Sequence, residues 1–295
     1  HVGRLSDGYV DGSLAGAARD AAERVLETAV GGGWVVPLGI LDGGWPSWKA
    51  IAWITVAMVG ARSFAFVVNR AVDAEIDARN PRTSRRAVPA GLIAAGELWL
   101  FALVVLGAFL FAVWQLAPIT RTLWPIVLAA FVVYPYMKRF TPLCHYWLGL
   151  CLGLAPVGAW VAVGAPVGHP APWVLGAAVA LWTAGFDIIY ATQDIECDRR
   201  DGLHSMPADY GVARALTQTR VVHVATAVVL LGGGLLVKAG WPWYVGAGVA
   251  AALLWYENSI VSATDLSRVN AAFFTTNGVI AVVVFAGALA DRLLG

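Results

Sequence analysis

The chain has 295 residues, of which 59% are apolar and only 13% are charged, and its mean hydropathy is +0.70. Soluble domains carry about 25% charged residues, so the composition excludes a soluble fold and predicts an all-α, polytopic membrane helical bundle in a lipid bilayer. A net charge of +1 gives no reason to expect nucleic acid as a partner, and three widely spaced cysteines exclude a disulfide framework.

The amino-terminal part of the chain differs from the rest. Residues 13–27 are predicted to form an amphipathic helix, and the apolar stretch at 29–41 contains several glycines and a proline. Spanning a bilayer takes about 20 apolar residues, so this stretch is a weak first span. We therefore divide the chain into an atypical segment at 1–44 and a transmembrane domain at 45–295.

Eight clear transmembrane helices are predicted in the second part. The apolar runs lie at 50–69, 97–117, 123–137, 145–165, 172–192, 218–238, 242–257 and 271–291. Glycine, proline and tryptophan separate them, and the run at 123–137 is short for a span. The stretch at 29–41 brings the predicted total to nine.

Lysine and arginine are unequally distributed between the two sets of connections. Eleven fall in one set and four in the other. The larger set consists of Arg79, Arg82, Arg85, Arg86, Lys138, Arg139, Arg199, Arg200, Arg214, Arg220 and Arg268. Because cytoplasmic loops of membrane proteins are enriched in these residues, this set is predicted to face the cytoplasm.

Acidic residues are concentrated in two short segments. Residues 50–295 contain 13 aspartates and glutamates, and eight of them lie within 73–77 and 187–201. Each segment has two aspartates four residues apart, which predicts that both lie on one helix face. The pairs are Asp73 with Asp77 and Asp194 with Asp198. A shift of 121 residues brings one pair onto the other, which indicates an internal repeat.

Four carboxylates at a membrane edge require positive charge beside them. Oxygen ligands suit Mg²⁺, which usually takes one or two carboxylates together with phosphate oxygens. Neighbouring arginines, Arg82 among them, add contacts for an anion. The pattern predicts a magnesium–diphosphate site in which the four aspartates are metal ligands and catalytic residues. The simpler alternative is a set of solvated charges at helix ends.

Two motifs carry a family resemblance: Asn69, Asp73 and Asp77 form the first, and Tyr190, Asp194 and Asp198 form the second. They resemble the paired aspartate motifs of the UbiA superfamily of intramembrane aromatic prenyltransferases. The stretches 80–83, 89–91, 202–207 and 265–270 are similar to its 4-hydroxybenzoate polyprenyltransferase-like branch. The resemblance implies two four-helix repeats plus one helix around a central cavity. There, with Mg²⁺, a polyprenyl diphosphate loses its diphosphate and alkylates an aromatic acid.

The resemblance also implies substrate-binding roles for individual residues. Arg62 matches the position that contacts the acceptor's carboxylate or the polar network near it. Lys138 is expected to grip the diphosphate, and Tyr134 to shield the allylic cation. Further substrate-binding candidates are Asn69, Arg82, Arg139, Tyr190, His204 and Arg268. The other histidines, among them His145, are expected to be solvated or to form a single hydrogen bond.

Two other classes of protein stay open at this point. One is a secondary transporter with a carboxylate cation site, and the other is an enzyme like the CDP-alcohol phosphotransferases. The acids lie at helix ends rather than mid-span, and a DGxxAR element is missing from the sequence, so both are less favoured than prenyl transfer. We expect a protein of the bacterial inner (plasma) membrane with its active site on the cytoplasmic side. Either 4-hydroxybenzoate or a naphthoate fits as acceptor, for ubiquinone or menaquinone biosynthesis.

Overall fold

The computed structural model describes residues 46–294. Within that range helices are the regular elements, apart from an isolated bridge between Ser262 and Asp265. The helices are α1 (Trp48–Val72), α2 (Ala74–Arg79), α3 (Ala95–Gln115), α4 (Thr120–Met137), α5 (Cys144–Ala162), α6 (Pro170–Ala191), α7 (Ile195–Arg200), α8 (Met206–Tyr210), α9 (Val212–Leu236), α10 (Trp241–Ser259) and α11 (Asn277–Leu294). A π-helical segment, Ala271–Thr276, leads directly into α11.

All eight predicted spans are confirmed as helices. Six of them are long and apolar enough to cross a bilayer, namely α1, α3, α5, α6, α9 and the continuous stretch Ala271–Leu294. Helix α4 is shorter, with 18 residues and two internal prolines, as the short apolar run predicted. The all-α membrane bundle is thus confirmed, whereas the expectations for 13–27 and 29–41 lie outside the described residues.

The helices repeat along the chain. A shift of 121 residues brings α1 onto α6, α2 onto α7, α3 onto α9 and α4 onto α10, each to within a few residues. Arg79 and Arg200 are equivalent under this shift, and the Arg200 guanidinium donates to the Arg79 carbonyl at 3.0 Å. The predicted internal repeat is confirmed, and the equivalent ends of its two halves touch.

Glycines set the distance between α5 and α6. A Cβ at Gly149 would lie 2.2 Å from the Ala180 carbonyl oxygen, and one at Gly153 would lie 2.5 Å from that of Gly176. In lipid the hydrophobic effect does not drive membrane helices together, so their association depends on close packing. Small residues favour it because they let the two backbones approach each other. Helices α5 and α6 are therefore held backbone to backbone, which fixes the side chains that they present to the interior.

Candidate active site

The two acidic motifs meet at one end of the bundle. The Asn80 side-chain amide, which follows the first motif, donates to Oδ1 of Asp194 at 2.7 Å. Nearby, Nε of Arg79 lies 3.4 Å from Oδ2 of Asp201. The segments that follow the two motifs are therefore in direct contact. This agrees with the prediction that both motifs lie on the same side of the membrane.

The helices are interrupted at the first aspartate of each motif. Asp73 (φ −93°, ψ 4°) stands between α1 and α2, and Asp194 (φ −111°, ψ 4°) immediately precedes α7. A ψ near zero marks a local break between the helices on either side of each aspartate. The four-residue spacing is kept, since the Asp77 N–H donates to the Asp73 carbonyl at 2.7 Å and the Asp198 N–H to the Asp194 carbonyl at 2.8 Å.

Asp73 is surrounded by nitrogen donors yet keeps one oxygen without a hydrogen bond. Nζ of Lys138 lies 2.9 Å from Oδ2, and the Asn69 amide donates to the same oxygen at 3.2 Å. Oδ1 is buried without a hydrogen-bond partner, and Nη2 of Arg139 lies 3.7 Å away. Arg139 instead donates to the Val72 carbonyl at 2.8 Å. A carboxylate with a buried open oxygen is ready to accept a further cation.

Asp77 is held by two arginines. Nη1 of Arg86 lies 2.9 Å from Oδ2, and Nη1 of Arg70 lies 3.1 Å from the same oxygen. Arg86 belongs to the basic loop noted in the sequence, whereas Arg70 was missed as a partner. Its signal was weak, because Arg70 and Asp77 are seven residues apart and belong to different helices, α1 and α2.

Asp194 receives a bidentate contact from one arginine. The Arg82 guanidinium grips both carboxylate oxygens, with Nε donating to Oδ1 at 3.0 Å. Nη1 of Arg82 also donates to the Tyr190 hydroxyl at 2.8 Å. The Tyr190 ring is stacked on Phe273 with a centroid distance of 4.1 Å. The hydrogen bonds and the stacking fix the orientation of Arg82 before any ligand arrives.

Asp198 is the least neutralised of the four aspartates. Within 46–294 it has no ion pair with lysine or arginine, and the Ser205 hydroxyl donates to its Oδ2 at 2.9 Å. Burial raises the pKa of the Asp198 carboxyl, and the hydrogen bond from Ser205 opposes that rise. Lys138 lowers this pKa from a distance, but no lysine or arginine within 46–294 forms a direct ion pair with the carboxylate.

One cavity of about 440 Å³ connects the polar end with the apolar interior. Of the predicted site residues, those that line it are Arg62, Asn69, Asp73, Asp77, Arg82, Tyr134, Lys138, Tyr190, Asp194, Asp198 and His204. It continues between α1, α3, α4 and α5 as far as Ile54 and Leu116. Ile54 lies 19 residues before Asp73 on α1, a rise of roughly 28 Å. The cavity is thus a polar mouth, formed by these site residues, above an apolar shaft.

Two predicted site residues lie elsewhere. Arg268 is exposed on the segment before the π-helical turn and is not among the described residues that line the cavity. Arg139 does not line it either, although its guanidinium lies close to Asp73. His204 does line the cavity, and its Nδ1 lies 3.0 Å from Oδ2 of Asp209.

A histidine–aspartate pair was missed by the sequence reasoning. His145 is 3% exposed, its Nδ1 lies 2.7 Å from Oδ2 of Asp187, and its Nε2 accepts the Met206 backbone N–H at 3.2 Å. The expectation that His145 is solvated or singly bonded is wrong, because α6 and α8 each bring a partner to one ring nitrogen. Both His145 and Asp187 line the cavity.

The donor set fits a magnesium ion that arrives with its substrate. In the described part of the chain no three His, Cys, Asp or Glu side chains lie close enough to hold a metal by themselves. Mg²⁺ does not require such a cage, because it commonly uses one or two carboxylates together with waters and phosphate oxygens. Four carboxylates line the polar mouth, and Oδ1 of Asp73, which accepts no hydrogen bond, is available as a metal ligand. The residues are therefore suited to a magnesium-bound diphosphate.

The fold and the site together define a class of helical integral membrane protein with an acidic and basic mouth above an apolar shaft. The chain belongs to the UbiA prenyltransferase family, whose model matches residues 29–279. The resemblance of the aspartate motifs is thereby confirmed, and the transporter and phosphotransferase alternatives lose support. Because the match begins ahead of residue 45, the division of the chain at that point stays a prediction.

Similar proteins are found among sequences and solved structures. The 4-hydroxybenzoate octaprenyltransferase of Alkalilimnicola ehrlichii is 30% identical over 264 residues, which cover 89% of this chain and 87% of that protein. The protein of that name from Cupriavidus pinatubonensis is 33% identical over 77% of this chain and 78% of its own length. The apo structure of a UbiA homolog from Aeropyrum pernix K1 has a TM-score of 0.83 at 29% identity, covering 91% of this chain and 98% of that one. A UbiA homolog from Archaeoglobus fulgidus, bound to GPP and Mg²⁺, shares the fold with a TM-score of 0.69 at 20% identity, covering 93% and 97%.

Proposed function

We propose that this protein transfers a polyprenyl group from a polyprenyl diphosphate to an aromatic acid such as 4-hydroxybenzoate. The observation that carries the proposal is the convergence of both acidic motifs on one cavity that continues into an apolar shaft. A diphosphate fits the polar mouth, and an isoprenoid tail fits the shaft. The relatives named 4-hydroxybenzoate octaprenyltransferase support this choice of acceptor and donor.

The polar mouth would hold the diphosphate through an exchange of partners. Asp73, Asp77, Asp194 and Asp198 are the proposed magnesium ligands, and the Archaeoglobus fulgidus homolog bound to GPP and Mg²⁺ supports this cofactor. When bound, Mg²⁺ neutralises the negative charge that develops on the leaving diphosphate. Lys138, Arg82 and Arg86 now contact the carboxylates, and each can turn to phosphate oxygens once the carboxylates hold metal.

The shaft would protect the cation that forms when diphosphate leaves. The C1–O bond of the donor breaks, its electron pair departs with the diphosphate, and an allylic cation remains. Tyr134 lines the cavity and offers a ring face that stabilises a cation. The apolar walls exclude water that would otherwise trap it. Arg62, which lines the cavity on α1 between Ile54 and Asp73, is the proposed partner of the acceptor's carboxylate.

The predicted orientation supports a site that opens toward the cytoplasm of a bacterial inner membrane. The polar mouth is formed by connections that belong to the arginine-rich set, and Lys138 and His204 are joined there by a backbone hydrogen bond of 2.7 Å. Loops rich in lysine and arginine stay on the cytoplasmic side. A small aromatic acid could reach the mouth from water, while the prenyl donor enters from the lipid.

The test is product formation by the purified protein in detergent with octaprenyl diphosphate, MgCl₂ and a panel of aromatic acids, read by mass spectrometry. Prenylated 4-hydroxybenzoate is expected, and EDTA should abolish it. Asp73→Ala and Asp194→Ala should each lower the rate by at least ~100-fold, since removal of one electrostatic stabiliser commonly costs that much. Asp291→Ala is the control, because Asp291 is not among the described residues that line the cavity, and its carboxylate instead accepts the Trp243 backbone N–H at the start of α10. Normal turnover in both motif variants would refute the site.

A further inference from the structure

The hydrogen bonds of His145 fix its tautomer. Its Nε2 accepts the backbone N–H of Met206 at 3.2 Å, and a backbone N–H can only donate. In the neutral ring the hydrogen therefore resides on Nδ1, which lies 2.7 Å from Oδ2 of Asp187. The ring is 3% exposed, so its orientation is set by these two bonds and by packing. His145 therefore contacts the Asp187 carboxylate through a single hydrogen bond, from Nδ1 to Oδ2.

Asp187 is both a partner of His145 and a residue of the cavity lining. The carboxylate lines the cavity with Tyr134, and its side chain is 20% exposed. Within 46–294 its hydrogen bond is the one from His145 to Oδ2. On α6 it lies seven residues before Asp194, roughly 10 Å along the helix axis from the magnesium ligands. An acidic side chain at this depth is costly unless it has a function.

A purely structural ion pair between α5 and α6 explains this arrangement less well. The two helices are already fixed by the glycine contacts at Gly149 and Gly153. The Asp187 side chain is also open to the cavity rather than sealed between the two helices. Among the described residues that line the cavity, five are carboxylates, and four of them belong to the aspartate motifs. Asp187 is the fifth, and it lies away from the diphosphate site.

Ring alkylation requires a proton acceptor that the diphosphate site does not provide. A π electron pair of the aromatic ring forms the new bond to the allylic carbon, and the ring C–H then breaks so that its electron pair restores aromaticity. We propose that Oδ1 of Asp187 accepts this proton and later passes it to water at the polar mouth, with His145 as a positioning residue. The inference rests on the proposed aromatic prenyl transfer and adds the group that completes it.

The test compares Asp187→Asn with the wild type, using acceptor that carries either hydrogen or deuterium at the ring carbon to be alkylated. Loss of a general base lowers rates by about 10²–10⁴-fold, so we expect product formation to fall at least ~100-fold while KM for both substrates stays within a factor of a few. A primary deuterium isotope effect on kcat should appear in Asp187→Asn and be absent from the wild type. A merely structural role would change stability or KM without making C–H cleavage rate-limiting.

Two further variants complete the experiment. His145→Asn, which displaces Asp187 without removing it, should show a smaller loss and the same isotope effect, and it replaces Asp187→Asn if that variant does not fold. Glu257→Gln is the matched control, because Glu257 is a fully buried carboxylate outside the cavity lining, and it should show neither change in kcat nor an isotope effect. Full turnover without an isotope effect in both cavity variants overturns the role of Asp187. Failure of the wild type to prenylate any aromatic acid overturns the proposed function instead.

Discussion

Arg82 is the side chain through which the acidic and basic parts of the site are most tightly joined. Its guanidinium contacts both oxygens of Asp194 and the hydroxyl of Tyr190 at the same time. This requires a planar group with several donors in fixed directions, whereas a lysine ammonium offers the same charge without the fork. Arg85 provides a natural comparison, since it is exposed in the same loop and has no ion pair within 46–294.

We therefore expect Arg82→Lys to slow diphosphate release by 10-fold or more, because a hydrogen bond to a charged group is worth about 1.5–3 kcal/mol. Arg85→Lys should leave the rate unchanged. Release of diphosphate from octaprenyl diphosphate, measured with a coupled phosphate assay in the presence of acceptor, gives the comparison directly. Equal rates in the two variants would contradict a role for the guanidinium fork.

At the residue scale, regular spacing in the sequence predicted the pairing of residues that are only a few positions apart in the chain. The four-residue interval of each aspartate pair is visible in a single sequence, and the structure brings both pairs to one cavity. The contact of His145 with Asp187 joins residues 42 positions apart and depends on how α5 packs against α6. No pattern in one sequence encodes such a pairing, and the sequence analysis missed it for that reason.

At the scale of elements, the α5–α6 contact depends on the absence of side chains. At Gly153 a methyl group would meet the Gly176 carbonyl oxygen at 2.5 Å, a backbone atom that cannot rotate away. At Gly107 on α3, a Cβ meets nothing within 4 Å. A glycine-to-alanine substitution at each of the two positions therefore distinguishes the effect of helix–helix packing from the effect of helix propensity.

Gly153→Ala should lower the free energy of unfolding by about 1–3 kcal/mol, the usual cost of overpacking, and should reduce Tm in detergent. Gly107→Ala should leave Tm unchanged or raise it, since alanine favours the helix over glycine. Thermal unfolding followed by tryptophan fluorescence measures both. If Gly153→Ala melts at the wild-type temperature, α5 and α6 are not held by this contact.

Hydropathy predicted the eight long helices because each apolar run must satisfy its backbone groups inside lipid. It did not predict the interruptions at Asp73 and Asp194, since both residues are compatible with a helix. The π-helical segment was also missed. There the Asn277 amide donates to the carbonyls of Ala272 and Phe273, a side-chain contact that no periodicity reports.

At the scale of the whole molecule, successive positions along α5 correspond to increasing depth in the apolar shaft. His145 stands at its polar end, and at its other end the Ala117 N–H donates to the Ala162 carbonyl at 3.1 Å. Between them Ala155 lines the cavity, and Ala162 lines it about 10 Å further from the polar mouth, by the helix rise. The small side chains keep the shaft open along the length that a prenyl tail would occupy. The sequence shows only alanines in an apolar run, so this depth could not be predicted from it.

A bulky side chain at each depth should therefore discriminate between donors by length. Ala162→Phe fills the far end, so kcat/KM for octaprenyl diphosphate should fall by about 10-fold, the equivalent of a typical overpacking cost, while that for geranyl diphosphate stays near the wild-type value. Ala155→Phe lies closer to the mouth and should lower both. Ala129→Phe, on an exposed position of α4 outside the cavity lining, should change neither. An equal fall for both donors in Ala162→Phe would place the prenyl tail outside the shaft, because only a tail that extends to the far end can distinguish these two depths.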